Sequence, residues 1–191
     1  MQALSLAGIL LLATSVLAQE VEAPILISHD RIDGPYGGMS HVVDLQVFSN
    51  GRVLYVEEQT ESLGQKPTRT SRDGHLEEEQ VKQVAKLLDS SGVRNLKSKI
   101  PSMRKPIDFF WLKSLEIKHA DRDQKIEIEN FYPFLNLCCT AYPRALIELE
   151  CNLQDIAAKS TGRQNDEDWC KELVRQVETD RSTPKECGLS W

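Results

Sequence analysis

The chain has 191 residues, with 23 lysines and arginines, 29 aspartates and glutamates, and a formal net charge of −6. Because the balance is acidic and the basic residues are scattered, the sequence lacks the electrostatic signature of a protein that binds nucleic acid or an anionic membrane surface. We therefore expect the partner to be a protein or a small ligand of unknown identity, and not a nucleic acid.

The amino terminus has the pattern of a secretory signal peptide. Residues 1–18, MQALSLAGILLLATSVLA, carry no charged side chain. Their apolar run is too short to span a bilayer, and the small residue Ala18 suits a cleavage site. We predict a secreted or periplasmic mature protein with no membrane anchor after cleavage. The predicted segments are a signal peptide over 1–18, one domain over 19–162 and a C-terminal tail over 163–191.

The first half of the mature chain predicts three strands. Residues 24–30 form a short strand, and a loop rich in glycine follows. Residues 41–48 alternate apolar and polar side chains, which is typical of a half-buried strand. Asn50 and Gly51 predict a two-residue hairpin turn, because both residue types tolerate positive φ. The return strand covers residues 52–60.

A loop, a helix and an irregular segment are predicted next. Residues 61–74 are polar, with two glycines and a proline, and favour a loop. Apolar residues recur at helical spacing between Leu76 and Ser90, and Gly92 lies where a helix cap belongs. Residues 93–109 contain two prolines and favour irregular structure.

A second hairpin and a long helix follow. The hairpin strands are Trp111–His119 and Gln124–Phe131, and the helix runs from Pro143 to Ser160 and ends at Gly162. Residues 166–179 predict one more helix, in the tail. The order β-β-β-α-β-β-α with tight turns favours an α+β fold. We expect an antiparallel sheet of about five strands, helices packed on one face, and a helical C-terminal tail.

The element VFSNGRVLYVE contains Gly51, Val53 and Tyr55 in a Gly-x-Val-x-Tyr hairpin, followed by the helix sequence LEEEQVKQVAKLLDSSGV. Together with the second hairpin and the last helix, it resembles small secreted bacterial proteins of unknown function. The resemblance covers about residues 25–160. It implies this order of strands and helices, and no activity or site residue.

Five cysteines in a secreted chain predict disulfides, with one thiol left over. Cys151 lies roughly 160° around its helix from the apolar stripe, at about 100° per residue, so it faces away from the core. The tail supplies Cys170 and Cys187 as partners. Cys138 and Cys139 are adjacent, which disfavours a bond between them, so we expect one to reach the tail. A metal or redox role for this pair is the alternative.

Two further groups of residues are candidate sites. His29, Asp33 and His41 surround the glycine-rich loop and could bind a metal or act as acid and base, although a turn between two strand ends is the simpler explanation. Aromatic residues flank the open end of the second hairpin and form either a binding patch or the end of the core. These residues are Phe109, Phe110, Trp111, Phe131, Tyr132 and Phe134.

The sequence contains no short motif of serine hydrolases, zinc peptidases or nucleotide-binding proteins. We therefore expect a secreted, non-catalytic module that binds a protein or ligand, without a cofactor. The alternative is a small hydrolase or metal-dependent enzyme that uses His29, Asp33 and His41.

Overall fold

The structure, a computed structural model, describes residues 22–34, 39–62, 64–101, 110–131 and 142–162, with Cys170, Glu172, Val174 and Arg175. These residues form an α+β fold, which confirms the predicted class. Its elements are β1 (Pro24–Asp33), β2 (Ser40–Phe48), β3 (Arg52–Thr60), β4 (Thr68–His75), α1 (Glu78–Asp89), α2 (Ser91–Arg94), β5 (Lys99–Ile100), β6 (Phe110–His119), β7 (Arg122–Glu129) and α3 (Arg144–Thr161). Within the described part of the chain, no helix is long and apolar enough to cross a membrane. The predicted signal peptide lies outside the described residues.

The sheet has seven strands in the order β4-β3-β2-β1-β6-β7-β5. All neighbouring strands are antiparallel except β5 and β7, which are parallel. The prediction of about five strands is therefore wrong. β4 lies in the segment predicted as a loop, because its mostly exposed edge position requires no apolar alternation. β5 has only 2 residues, which is too few to show an alternation of apolar and polar side chains.

The first hairpin turn differs from the predicted two-residue turn. Three residues, Ser49 to Gly51, connect β2 and β3, and the Gly51 amide donates to the Phe48 carbonyl at 3.1 Å. Gly51 has a positive φ of 89°. Among the described residues other than glycine, Ala120 and Asn130 also have a positive φ. This is the three-residue hairpin in which one left-handed glycine follows a turn.

The helices largely follow the prediction. α3 ends at Gly162, whose φ of 65° is left-handed, as a helix-ending glycine requires. Gly92 is not a cap, because it lies inside the short helix α2, whose first turn is closed by the Ser90 hydroxyl accepting from the Val93 amide at 3.3 Å. In the predicted tail helix, the described residues Cys170, Glu172, Val174 and Arg175 are helical.

One face of the sheet packs against the helices. Alternate residues of the strands share a single core cluster with the apolar side chains of α1, α2 and α3. We call the opposite side of the sheet the outer face. The α3 side chains in this core are Leu146, Ile147, Leu149, Leu153 and Ile156, and the strands contribute Ile25, Leu26, Leu45, Val47, Val53, Tyr55, Ile100, Leu115, Ile117, Ile126 and Ile128.

Candidate functional site

A cleft of about 230 Å³ lies between α3 and the sheet. We call it the α3 cleft. Its walls combine aliphatic and aromatic side chains with charged and polar ones. The apolar wall residues are Ile32, Val43, Leu45, Tyr55, Trp111, Leu153, Ala157 and Ala158, and the polar ones are Asp30, His41, Lys113, Glu150 and Gln154.

Strand alternation explains why charged residues converge on this face. Asp30 and Lys113 are direct register partners on the neighbouring strands β1 and β6. Lys113 is two residues before Leu115, so it points to the same face as this core leucine. Glu150 follows the buried Leu149 on α3 and is itself buried. The cleft therefore places a lysine and two carboxylates where most of this face carries aliphatic side chains.

The floor of the α3 cleft is a buried ionic cluster, which we call the Lys113 triad: Lys113, Asp30 and Glu150. The Lys113 ammonium lies 2.8 and 3.0 Å from the two Asp30 oxygens, and 2.6 Å from Glu150 Oε2. The side chains of Lys113 and Glu150 are each 1% exposed, and that of Asp30 is 17% exposed. The triad is therefore almost fully removed from water.

Neighbouring side chains also donate to the carboxylates of the triad. The Trp111 indole donates to Asp30 Oδ1 at 3.2 Å. The Gln154 amide, one turn along α3, donates to Glu150 Oε1 at 2.9 Å. Glu150 Oε2 lies 2.6 Å from the Lys113 ammonium and has no other donor among the described residues. One buried carboxylate oxygen thus keeps unused acceptor capacity beside the cleft.

The electrostatics of the triad keep Lys113 charged. Burial by itself lowers the pKa of Lys113, but the Coulombic attraction and hydrogen bonds of Asp30 and Glu150 more than offset it, so the pKa lies above the ordinary lysine value. A nucleophilic lysine needs a neutral amine. Lys113 therefore acts as a fixed positive charge that positions two carboxylates.

A second depression, about 340 Å³, lies on the outer face of the sheet. It is lined by charged side chains such as Arg31, Lys125 and Glu127, which are between 52% and 57% exposed. Charges in this setting are screened by water and interact weakly. The α3 cleft, with its desolvated triad, is the stronger candidate site.

The structure does not bring His29, Asp33 and His41 together. His29 and Asp33 lie on the outer face, where His29 Nδ1 is 2.6 Å from Asp44 Oδ1. His41 lines the α3 cleft on the other side of the sheet, and its Nε2 is 2.8 Å from Glu57 Oε1. Side chains alternate between the two faces along each strand. His29 pairs with Asp44 across β1 and β2, whereas His41 pairs with Ile32, so His29 and His41 lie on opposite faces. The hypothesis of one site built from these three residues is therefore wrong.

The aromatic candidates divide between surface and core. Phe131 is fully buried, with its ring edge-on to Trp111 at 5.8 Å and to Tyr142 at 5.1 Å between ring centroids. Phe110 is 40% exposed, and Trp111 is half-buried at the wall of the α3 cleft. The remaining members of the predicted patch, Phe109, Tyr132 and Phe134, lie outside the described residues.

Cys151 and Cys170 form a disulfide with a Cα–Cα distance of 5.5 Å. This pairing confirms the prediction that Cys151 faces away from the core and bonds a cysteine of the tail. Val174, one turn beyond Cys170, packs against the core. Cys138, Cys139 and Cys187 lie outside the described residues, so the second predicted disulfide stays a prediction.

Sequence reasoning missed the Lys113 triad. Its one sequence signal is a lysine in the alternation Trp111, Lys113, Leu115, Ile117, where a charge interrupts an otherwise apolar face. Comparison with protein-family models finds no family that matches this chain, and comparison with curated proteins finds no significant match. The resemblance in strand and hairpin pattern therefore adds no activity or site residue to the geometry of the cleft.

Proposed function

We propose that this protein is a secreted, non-catalytic module that binds a small ligand in the α3 cleft. The observation that carries the proposal is the Lys113 triad, a desolvated ionic cluster at the floor of a cleft with apolar walls. Ligand sites are typically concave and mostly apolar, with a few convergent polar groups that fix orientation. The α3 cleft has this composition.

The energetics of the triad favour a binding role over a purely structural one. Removing charges from water is costly, and apolar side chains of similar volume commonly stabilise a core as well as a buried ion pair or better. A contact whose role was only to attach α3 to the sheet would be made at least as well by aliphatic side chains. The presence of Lys113, Asp30 and Glu150 beside the cleft therefore supports recognition of a ligand.

The protonation state of Lys113 supports binding over lysine-based catalysis. Its raised pKa keeps the amine protonated and occupied by two carboxylates. A Schiff-base or nucleophilic lysine requires the opposite shift. The ammonium instead holds the carboxylates of Asp30 and Glu150 in fixed positions, which is what a preorganised binding site requires.

Two observations support secretion. The amino-terminal 18 residues have the pattern of a signal peptide. Cys151 and Cys170 are disulfide-bonded, as is usual in oxidising compartments. Export to the periplasm or the medium is tested by amino-terminal sequencing of the exported protein. We expect the sequence to begin at Gln19, and an intact Met1 would overturn the secretion proposal.

Ligand binding is tested with three probes of nearly equal shape: 2-phenylethylamine, 2-phenylethanol and 3-phenylpropionate. Each is titrated into the oxidised mature protein while backbone amides are followed by two-dimensional NMR. We expect at least one probe to bind at millimolar concentration or better and to shift the amides of Lys113 and Leu153, which line the cleft. No binding by any probe would overturn the binding proposal.

A pair of variants locates the binding. Ala157→Leu adds bulk inside the α3 cleft, because Ala157 lines it. Ser114→Leu places the same side chain on the outer face, since Ser114 lines the depression there. We expect Ala157→Leu to abolish binding and Ser114→Leu to preserve it. Binding that survives in Ala157→Leu would place the ligand elsewhere and contradict the proposed site.

A further inference from the structure

We infer that the ligand of the α3 cleft is a small organic cation, an ammonium group attached to an apolar body. The inference rests on the proposed function, and it adds the charge and the size of the ligand. Three features carry it: the net charge of the lining, the unused acceptor capacity of Glu150, and the aromatic and aliphatic walls.

The ionised groups at the cleft sum to a negative charge. Asp30 and Glu150 together outnumber the single ammonium of Lys113, which leaves a charge of −1 on the triad. His41, on the cleft wall, is paired with Glu57 at 2.8 Å. A cation therefore enters a favourable potential, whereas an anion is repelled by a field that burial leaves unscreened.

Glu150 supplies the specific acceptor. Its side chain is 1% exposed and lines the α3 cleft, and among the described donors its Oε2 meets only the Lys113 ammonium. A carboxylate oxygen can accept from two donors, and a charged N–H donor is the strongest second partner that it can receive. An ammonium in the cleft gives this oxygen a second donor and neutralises the excess negative charge in one step.

The walls set the shape of the ligand. Trp111 and Tyr55 place aromatic side chains at the cleft, and aromatic faces attract cations. Leu153 and Ala157 form the aliphatic side contributed by α3. The volume of about 230 Å³ is below the range of roughly 300–1,000 Å³ that is typical of drug-sized ligands. The cleft therefore fits an amine with one ring or a short chain.

The three phenethyl-type probes test the charge directly, because they differ chiefly in the head group. We expect 2-phenylethylamine to bind the wild-type protein at least about tenfold more tightly than 2-phenylethanol, since a charge-assisted hydrogen bond exceeds a neutral one by this amount or more. We expect 3-phenylpropionate not to bind.

Glu150→Gln removes the charge and retains the shape of the side chain and an oxygen that can accept from Gln154. We expect it to reduce the preference for the amine over the alcohol by about tenfold. Glu127→Gln makes the same change on the outer face, where the side chain is 56% exposed, and should leave the preference unchanged. An unchanged preference in a folded Glu150→Gln protein would overturn the assigned role of Glu150.

The outcomes separate the two proposals. If the alcohol or the carboxylate binds as tightly as the amine, and Ala157→Leu abolishes that binding, the cation inference is wrong and the binding proposal stands. If none of the probes binds, both fail. If Glu150→Gln does not fold, the comparison of the three probes on the wild-type protein still tests the inference.

Discussion

Removing the positive charge of the Lys113 triad is expected to destabilise the protein strongly. In Lys113→Met, the carboxylates of Asp30 and Glu150 remain close together, because they lie 2.8 and 2.6 Å from the ammonium and their oxygens are thus no more than about 5.4 Å apart. Two like charges at this distance repel by about 3 kcal/mol at an effective dielectric constant of ~20. Loss of one partner from a buried ion pair typically costs about 3–5 kcal/mol. We expect the free energy of unfolding to fall by about this amount.

The assay is urea denaturation followed by circular dichroism and by tryptophan fluorescence, with coincident transitions as the test of two-state unfolding. Lys125→Met is the matched control, because Lys125 is 57% exposed on the outer face and its loss should cost about 0.5 kcal/mol or less. In the double variant Lys113→Met/Glu150→Gln, we expect much of the lost stability to return, since the repulsion is removed. If Lys113→Met is no more destabilising than Lys125→Met, the conclusion that the Lys113 triad is paired and removed from water is wrong.

The pH dependence provides an independent check on the same variant. A group whose pKa is raised in the folded state contributes stability that is fully present below its unfolded pKa and is lost as the pH rises towards the folded value. The pKa of Lys113 is raised. The stability difference between the wild type and Lys113→Met should therefore not shrink between neutral pH and about pH 10, and it should shrink only above the ordinary lysine pKa of ~10.4. A difference that already shrinks at pH 8 would contradict the raised pKa.

Two further changes test the attachment of α3. Replacing both cysteines of the Cys151–Cys170 disulfide by serine should lower the free energy of unfolding by about 3 kcal/mol, because the bond closes a loop with a sequence separation of 19, and an unchanged denaturation curve would contradict this. Gly74→Ala should cost about 1–3 kcal/mol, because the added Cβ would overlap the backbone oxygen of Ser160 at the end of α3. Ser71→Ala in the same edge strand should stay within about 0.5 kcal/mol, and equal losses for the two variants would argue against this close approach.

The sequence predicts best the elements whose buried face makes apolar residues recur at a regular spacing along the chain. The sequence predicts β3 over 52–60, and β3 lies there because one of its faces is in the core. α3 differs from its prediction by one residue at each end, since its apolar stripe and Gly162 define it locally. β4 could not be predicted in this way, because backbone hydrogen bonds to β3 hold it at an exposed edge without any apolar pattern.

The candidate site was less predictable than the fold. Lys113 stands out only as a charge on an apolar face, and a lysine on a strand is usually exposed. Its two partners are distant along the chain: Asp30 is separated from it by 83 residues, and Glu150 lies on a helix near the end of the domain. Nothing local in the sequence indicates that these three charges meet. His29, Asp33 and His41, by contrast, are close together in the sequence, but strand alternation places them on two faces of the sheet.

The central position of β1 has a consequence for how the chain reaches this structure. The first strand lies between β2 and β6, so the sheet is continuous only after β6 has paired with it. Contacts across this pair span about 80 residues, and such non-local pairing is slow because a long loop must close first. A nascent chain that ends before Phe110 leaves one edge of β1 unpaired, which is an aggregation hazard that a holding chaperone would be expected to cover. The fold is thus completed late in synthesis, and most of the polypeptide must be available before the two halves of the sheet can join.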